Sequence, residues 1–461
     1  MATLLRRALS AAPVRRGRVV VVGGGASGYF AAIFAARQVR DPLGVPKRPS
    51  QGPGADVEVL ESAALGLRKV LASGGGRCNV MHGDMEVRDL IDCYPRGRNE
   101  LRGALTKRWG QAETRDFFED LGVQLKTESD GRVFPATDDA ETIVAALRRA
   151  AEDAGVSVRF GAPVSSVKAV AAAGFRVETR ARGSTETEAT ECDAVVIATG
   201  SAPFGYQLAQ SFDHAVTAPY PSLFSFRIPN SPLFDLAGIS LEDAMLTLEL
   251  AVSGEQPKKR KDDPALSQRA PMLVTHRGVT GPAALRLSAF AAAELKVAKY
   301  KGTLVLNVVP GVGNVADVAA ALRDYKDAHA GTQVVTAAGK RPFEVLPKRL
   351  WAALVAAAGV EADKKWADVK KTEVQAIAVA CAALRLNFEG KDANKDEFVT
   401  AGGVALAGVD SRRFESKLVP GLHFCGEVID IDGVTGGHNF QHCWTSGYIA
   451  GVSAADRAAQ R

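Results

Sequence analysis

The hydrophobic positions of this chain fall into three kinds of segment. Short apolar runs occur at 19–22, 194–197 and 422–425, as expected for parallel strands that are buried on both faces. Residues 222–310 contain longer strand-like runs, and residues 315–385 are alanine-rich with helical periodicity. The pattern therefore predicts an α/β fold.

A glycine-rich turn follows the first apolar run. It has the form G-x-G-x-x-G, and a helix is predicted from about Ala26 to Arg37. In such a turn the first glycine allows the tight bend, the second lets the backbone approach a pyrophosphate, and the third lets helix and strand pack closely. Free N–H groups at the helix N-terminus favour the anion. We therefore predict a dinucleotide-phosphate site formed by Gly23, Gly25, Ala26, Ser27 and Gly28.

An acidic residue about 20 positions after such a turn usually binds a ribose hydroxyl. Asp41 has roughly this spacing, but it precedes Pro42 and ends no strand. Glu61 is better placed, because it ends the alternating strand 56–61, and the Pro/Gly-rich segment 41–55 accounts for the extra length as a surface loop. We predict that Glu61 is the ribose ligand.

Two further segments are predicted to contact the same ligand. Residues 73–79 include three adjacent glycines, which are costly to order and make sense where the backbone lies against a ligand. The alternative is a flexible loop. The run 194–197 is followed by Ala-Thr-Gly, which fits a strand that returns the chain to the cofactor. The predicted contacts in and near these segments are Lys69, Gly75, Gly76, Arg77, Cys78, Asn79, Ala198, Thr199 and Gly200.

A second glycine loop lies near the end of the chain. The run 422–425 is followed by a Gly-Glu pair, and the sequence TGGHN then opens a predicted helix from about 440 to 457. The carboxyl end of a strand is where α/β sheets bind ligands. We predict that this loop closes on the other end of the same cofactor through Gly426, Glu427, Thr435, Gly436, Gly437, His438 and Asn439.

Together these segments resemble the BaiN/RdsA-like family of NAD(P)/FAD-dependent oxidoreductases, which includes aminoacetone oxidase-like flavoproteins. The matching segments span about residues 19–451 in family order. They include VVVVGGGASGYFAA, LRKVLASGGGRCNV, GRVFPATDDA, CDAVVIATG, PSLFSF, THRGVTGPAALRLS, VTAGGV and ESKLVPGLHFCGEVIDIDGVTGGHNFQHCWTSGYIAG. The chain departs from the family pattern at 201–206, at Val80-Met81 where a polar pair is usual, and at His438 where tyrosine is common.

The resemblance implies a Rossmann-type FAD-binding domain that is interrupted by an insert domain with a β-barrel part and a helical part. We expect a targeting extension at 1–17, the two parts of the FAD-binding domain at 18–214 and 397–461, and the insert at 215–396. The resemblance also implies that Glu427 holds the ribityl chain or a ribose. The N-terminus of the last helix would face the flavin pyrimidine edge, where positive charge favours reduction.

The implied function is that of an FAD-dependent oxidoreductase that transfers hydride between NAD(P)H and an unidentified small organic substrate. Only one convincing dinucleotide turn is present, so NAD(P)H is expected to bind as a transient co-substrate. The alternatives are a flavin-dependent amine oxidase that uses dioxygen and a non-enzymatic flavin-binding assembly protein. No residue is assigned as catalytic from the sequence.

The charge distribution affects the choice of partner. The net charge is +5, and five arginines near the N-terminus account for it, at positions 6, 7, 15, 16 and 18. The rest of the chain is close to neutral, which disfavours a nucleic-acid partner and hence an RNA-modifying flavoenzyme. The acid-free, Arg-rich first 17 residues resemble a transit peptide and favour a mitochondrial location. A plastid address, or a disordered tail on a cytoplasmic protein, is the alternative.

The remaining composition excludes several classes of site. Six cysteines occur without a C-x-x-C pair, so we predict reduced thiols and neither a redox disulfide nor a metal site. We find no apolar run of about 18 residues or more, so no membrane span is predicted. The sequence leaves the oligomeric state open.

Overall fold

The computed structural model describes residues 16–37, 54–170, 174–180, 185–229, 231, 233–250, 266–336, 339–392 and 399–460. The first 15 residues of the predicted targeting extension lie outside the described residues, and so do residues 41–53 of the predicted surface loop.

Twenty-two strands are present among the described residues. In chain order they are β1 (Arg18–Val22), β2 (Asp56–Leu60), β3 (Met81–His82), β4 (Leu125–Thr127), β5 (Arg132–Pro135), β6 (Ser157–Arg159), β7 (Val164–Val170), β8 (Gly174–Thr179), β9 (Glu188–Cys192), β10 (Ala194–Ile197), β11 (Val216–Ser222), β12 (Ser225–Arg227), β13 (Ser240–Glu249), β14 (Ser267–Thr275), β15 (Gly278–Thr280), β16 (Lys301–Asn307), β17 (Leu384–Glu389), β18 (Lys391–Asp392), β19 (Val399–Val404), β20 (Val409–Asp410), β21 (Glu415–Ser416) and β22 (Leu422–Phe424).

Thirteen α-helices accompany them in the same described ranges. They are α1 (Ala26–Ala36), α2 (Arg68–Ala72), α3 (Val87–Asp92), α4 (Arg98–Lys107), α5 (Gln111–Asp120), α6 (Ala140–Asp153), α7 (Pro203–Ser211), α8 (Pro282–Phe290), α9 (Ala292–Val297), α10 (Val315–Ala328), α11 (Lys348–Ala357), α12 (Lys371–Ala382) and α13 (His438–Ala459).

The chain forms two compact units. The first comprises the residues up to Pro219 together with those from Gly402 onward, and the second comprises Tyr220–Ala401. The first unit is built on a seven-stranded sheet in the order β20-β21-β22-β10-β1-β2-β6. Its five strands from β22 to β6 are parallel, and β20 and β21 form an antiparallel edge. The three apolar runs identified in the sequence are neighbours in this sheet, which confirms the Rossmann-type part of the predicted fold.

Small residues let the first and last helices of the first unit pack closely. A β-carbon built on Gly451 would lie 2.2 Å from the carbonyl oxygen of Ala31, and one on Gly447 would lie 2.7 Å from that of Ser27. A β-carbon on Gly28 would lie 2.0 Å from the carbonyl oxygen of the turn residue Gly23. The backbone of α1 is therefore in direct contact with α13 and with the turn after β1.

The second unit contains a closed antiparallel sheet and a group of helices. The sheet order is β17-β16-β13-β14-β15-β12-β18. The segment 384–392 pairs with β16 through β17 and with β12 through β18, so the sheet closes on itself. Helices α10, α11 and α12 bury Trp351 and Trp366 among aliphatic side chains. The predicted insert with a barrel and a helical part is thus confirmed.

None of the described helices combines the length and the apolarity that crossing a bilayer requires.

The close packing of α1 on α13 predicts a strong asymmetry between two glycines. We expect Gly451→Ala to lower the free energy of unfolding by about 1–3 kcal/mol, because the new methyl group overlaps the Ala31 carbonyl. Gly103 lies on α4 with nothing within 4 Å of a β-carbon, and Gly103→Ala should leave stability unchanged or raise it by up to about 1 kcal/mol. Thermal denaturation of both variants tests this, and equal midpoints would contradict the packing described.

Candidate functional site

A cavity of about 490 Å³ opens at the carboxyl ends of the parallel strands of the first unit. The segments that line it are the turn 22–27 after β1, Glu61 after β2, residues 198–200 after β10, and Glu427 after β22. This is the edge at which open α/β sheets bind ligands. The cavity brings together ten of the predicted site residues, namely Gly23, Gly25, Ala26, Ser27, Glu61, Lys69, Ala198, Thr199, Gly200 and Glu427.

The turn after β1 has room for a ligand at Gly25 but none at Gly23, two residues earlier. Gly23 has a φ of +109°, and a β-carbon on it would lie 2.5 Å from the carbonyl oxygen of Ala198. By contrast, nothing lies within 4 Å of a β-carbon on Gly25, which lines the cavity. Helix α1 begins here without a side-chain cap and without an acidic residue in its first turn. Its first N–H groups can therefore bind an anionic group.

Two backbone amides fix the carboxylate of Glu61. Oε2 accepts a hydrogen bond from the Gly24 N–H at 2.7 Å, and Oε1 accepts one from the Ala63 N–H at 2.7 Å. Oε1 also accepts from Oγ of Ser62 at 3.2 Å, so Oε2 keeps a second lone pair and the side chain is an oriented acceptor on the cavity wall. This geometry suits a hydroxyl donor such as a ribose.

An ion pair joins two predicted site residues from opposite ends of the sequence. The ammonium group of Lys69 donates to Oε2 of Glu427 and to Oγ of Ser201, the latter at 3.1 Å. Lys69 is 63% exposed, so the pair contributes little to stability. The ion pair instead fixes the position of the Glu427 side chain, which it holds beside the segment that follows β10.

Two hydroxyl groups near this pair are buried without a hydrogen-bond partner among the described residues. They are Oγ1 of Thr199 and the phenol of Tyr206. Burial raises the pKa of Tyr206 to about 12, and the charges of Glu427 and Asp430 act in the same direction. Buried polar atoms are normally bonded, so these two atoms are exceptions. Thr199 lines the cavity, whereas Tyr206 is not among the residues that line it. The sequence predicted Thr199 but not Tyr206, which lies in the segment that departs from the family.

Arg77 is engaged elsewhere and is not among the residues that line the cavity. Its guanidinium group bonds to Glu128 and Asp138 and lies 4.0 Å from the centroid of the Phe134 ring. The predicted contact between the Arg77 side chain and the cofactor would compete with two carboxylates.

Among the other residues of this segment, two glycines are exposed and Cys78 belongs to the core. Gly75 and Gly76 are exposed with φ values of +69° and +86°, and nothing lies within 4 Å of a β-carbon on either. Their backbone is therefore open to a ligand. The Cys78 thiol is fully buried, and burial raises its pKa to about 12, which excludes it as a nucleophile at neutral pH.

The second glycine loop packs directly on β3. Gly436 and Gly437 have φ values of +124° and +92°, and a β-carbon on Gly437 would lie 2.3 Å from the carbonyl carbon of Met81. When the Asn79 amide is oriented to satisfy its neighbours, its oxygen accepts from the Gly437 N–H at 2.9 Å. Asn79 therefore joins the segment 73–79 to the second glycine loop and stabilises the conformation of that loop.

Asn439 and His438 begin helix α13. The Asn439 side chain makes two hydrogen bonds to the backbone of Gly433, of 2.9 and 2.8 Å, and therefore shapes the loop. His438 is fully buried, and its ring stacks on that of His82 at 5.1 Å between centroids and 14° between planes. The sequence did not identify His82, although it directly follows the Val80-Met81 departure.

The first turns of α13 also connect the second glycine loop to the cavity. Phe440 and Cys443 line the cavity, and His438 precedes Cys443 by five residues, about 7.5 Å of helix. Gly426, which follows β22, packs on α1, because a β-carbon on Gly426 would lie 2.3 Å from Oγ of Ser27. Residues 435–439 are not among those that line the cavity, but His438 lies within two helical turns of Cys443, which does line it.

His442 is buried behind this wall. Its Nε2 lies 3.3 Å from the carbonyl oxygen of Gly426, and burial lowers its pKa to about 4. It is therefore neutral at physiological pH. Within the described part of the chain, no group of three or more His, Cys, Asp or Glu side chains is arranged to hold a metal ion.

Known proteins resemble this chain over nearly its whole length. Residues 17–453 match the family described as HI0933-like protein Rossmann domain. The 3-dehydro-bile acid delta(4,6)-reductase of Clostridium scindens is 28% identical over 95% of this chain and 99% of its own length. The ribosomal RNA dihydrouridine synthase of Escherichia coli is 28% identical over 93% of this chain and 96% of its own length. The 3-ketosteroid-delta4-(5alpha)-dehydrogenase of Rhodococcus jostii RHA1 is 15% identical, with a TM-score of 0.48 and coverage of 97% and 98%.

The open space at Gly25 predicts a variant that folds but loses its ligand. A β-carbon at position 25 has no protein atom within 4 Å, and valine costs about 1 kcal/mol as a poorer helix cap, but its side chain occupies space at the cavity wall. We expect Gly25→Val to weaken FAD binding by about 100-fold, which is roughly 2.8 kcal/mol. Flavin fluorescence titration measures this. Gly103→Val, outside the cavity, is the matched control, and wild-type affinity in Gly25→Val would contradict the assignment.

The neutral state of His442 predicts a pH-dependent stability. An unfolded histidine binds a proton near pH 6.5, whereas His442 in the folded protein does so only near 4. The native state binds fewer protons in this window, so the free energy of unfolding falls as the pH decreases from about 6.5 to 4. Replacing His442 by glutamine should reduce that slope by about 1.4 kcal/mol per pH unit. Urea denaturation across this pH range tests it, and an unchanged slope would refute the buried neutral state.

Proposed function

Because the chain belongs to the HI0933-like family of FAD-dependent flavoprotein oxidoreductases, we propose that it is a reductase that saturates a C=C bond conjugated to a carbonyl group. FAD is the resident cofactor, and NAD(P)H is a transient co-substrate. The observation that carries the proposal is the cavity at the first glycine loop, which Phe440 and Cys443 of α13 also line, with oriented acceptors at Glu61 and Glu427.

The residues present fit FAD at both ends. The open backbone at Gly25 and the uncapped N-terminus of α1 suit the diphosphate, and Glu61 suits the adenosine ribose. Thr199 and the carboxylate of Glu427, which both line the cavity, suit the hydroxyl-bearing middle of the cofactor.

At the ring end, the chain supplies electrostatics. Helix α13 is 22 residues long and starts without a side-chain cap or an acidic residue in its first turn. Its N-terminus therefore favours negative charge beside Gly436 and Gly437. When bound, FAD would supply the hydride transfer from NAD(P)H to the substrate.

The substrate class follows from what two relatives have in common. One is named a reductase of the delta(4,6) bonds of a 3-dehydro-bile acid, and the other forms dihydrouridine. In each name the reduced bond is a ring C=C conjugated to a carbonyl group. A small cyclic enone fits both considerations. It contains a conjugated C=C bond of this kind, and it is a small molecule, as expected from the near-neutral charge of the chain beyond the N-terminal arginines.

A second candidate is the reduction of a uridine ring in RNA. It is favoured by the E. coli ribosomal RNA dihydrouridine synthase, which this chain matches over 93% of its residues. An RNA substrate would require binding that weakens steeply with salt. The small-molecule reductase is preferred because the net charge of +5 is concentrated in the arginines near the N-terminus.

Anaerobic stopped-flow spectroscopy tests the proposal. The purified protein should contain FAD, NADH or NADPH should bleach it, and a cyclic enone should restore the colour. Gly25→Val should lack the signal. The enone is compared with uridine-containing RNA, amines and quinones under the same conditions.

Each other outcome selects a different function. Reoxidation by RNA but not by enones would favour the uridine reductase. Bleaching by an amine, followed by reoxidation with dioxygen, would identify an amine oxidase. Flavin that none of the reductants bleaches would indicate a flavin-binding assembly protein.

A further inference from the structure

We propose that His82 is the proton donor of this reduction, with His438 and Gln111 as positioning residues. The inference rests on the proposed function, because saturation of a conjugated C=C bond requires one proton in addition to one hydride.

The His82 ring is held so that one nitrogen stays available. Nδ1 lies 3.1 Å from the carbonyl oxygen of Gly83, and a carbonyl can only accept, so Nδ1 carries a hydrogen. Nε2 is then the atom that gains or releases the second proton. The ring also packs on Gly131, where a β-carbon would lie 2.2 Å from Cε1 and 2.5 Å from Nε2 of His82, so only a glycine at position 131 leaves room for this edge of the ring.

Gln111 fixes the backbone that carries this ring. Its amide nitrogen donates to the carbonyl oxygen of His82 at 3.0 Å and to that of Gly83 at 2.5 Å. Gln111 is the first residue of α5 and is buried. The end of β3 therefore has little freedom to move when a ligand binds.

His438 fixes the face of the ring and places it beside the second glycine loop. A β-carbon on Gly436 would lie 3.5 Å from Cδ2 of His82 and 3.3 Å from Nε2 of His438. The two stacked rings thus border the glycine that precedes the N-terminus of α13. This is the end of the site assigned to the reactive ring of the cofactor.

The other titratable groups around this loop are poor proton donors at neutral pH. Tyr94 is fully buried, its hydroxyl donates to the carbonyl oxygen of His438, and burial raises its pKa well above the usual value. Burial also raises the pKa of the Cys443 thiol to about 12. His82 is only half-buried, so its proton can be replaced from solvent.

The charged neighbours of His82 are balanced. Arg132 is its cross-strand partner on β5, and that guanidinium group is paired with Glu128 and Asp130. His438 faces it from α13. Within the described residues, these contacts place no unbalanced charge of either sign against the ring.

The step is balanced in atoms and electrons. Hydride adds to the carbon β to the carbonyl group, the C=C π electrons shift to form an enolate, and the proton on Nε2 of His82 forms the C–H bond at the α carbon. NAD(P)H is oxidised, the C=C bond is reduced, and neutral His82 takes a proton from water.

Replacing His82 with glutamine separates the two half-reactions. We expect H82Q to retain FAD content and the rate of bleaching by NAD(P)H, while reoxidation by the enone slows by about 100-fold or more. The wild-type reoxidation rate should fall as the pH rises through one ionisation, and H82Q should lose this dependence. H438Y, which keeps an aromatic ring for the stack, should slow reoxidation by less than about 10-fold.

A second measurement does not depend on turnover. The histidine Cε1–H resonance that disappears in H82Q should titrate at the same pH as the wild-type reoxidation rate, and its midpoint should shift in H438Y. Wild-type reoxidation and an unchanged pH profile in H82Q, or titration at a different pH, would overturn the role of His82 alone. A wild-type protein that reduces no enone would overturn the proposed function and this inference with it.

Discussion

The contact between α1 and α13 is the constraint on which the rest of the site depends. Gly447 and Gly451 let the last helix lie against the backbone of Ser27 and Ala31, and larger residues at these positions would separate the two helices. Because α1 starts at the first glycine loop and α13 starts at the second, this single packing interaction sets the distance between both ends of the proposed cofactor. The small residues therefore determine binding geometry as well as stability.

Around the cavity, positive charge comes from helix N-termini and negative charge from carboxylates at strand ends. Both helices begin without a side-chain cap or an acidic residue in the first turn, so their N-terminal N–H groups are not neutralised by the chain. Carboxylates occur instead at the ends of β2 and β22, where backbone amides or Lys69 orient them. Positive helix ends suit the anionic parts of a flavin dinucleotide, and oriented carboxylates suit its hydroxyl groups.

Much of the architecture could be predicted from the sequence. The continuous apolar runs and the G-x-G-x-x-G turn identified β1, β10 and β22 as parallel strands, and both the fold class and the family are confirmed. The site residues remain predictions. Arg77 illustrates the difficulty of predicting contacts from sequence. Its position after three glycines suggests a ligand contact, but Glu128 and Asp138 bind its guanidinium group, and no local sequence signal reveals such long-range pairing. His82 and Tyr206 were missed because neither lies in a glycine motif, and only the tertiary fold buries Tyr206 or stacks His82 on His438.

The position of α13 after the second unit has a consequence for biosynthesis. The central sheet interleaves β1 and β10 with β22, so a ribosome must translate the whole second unit before the nucleotide cleft has its final wall. The closed sheet of the second unit, by contrast, has all its strands between residues 225 and 392 and can form while the C-terminal segment is still in the exit tunnel. The cleft proposed for FAD is therefore completed only after β22 and α13 have been synthesised, later than the sheet of the second unit.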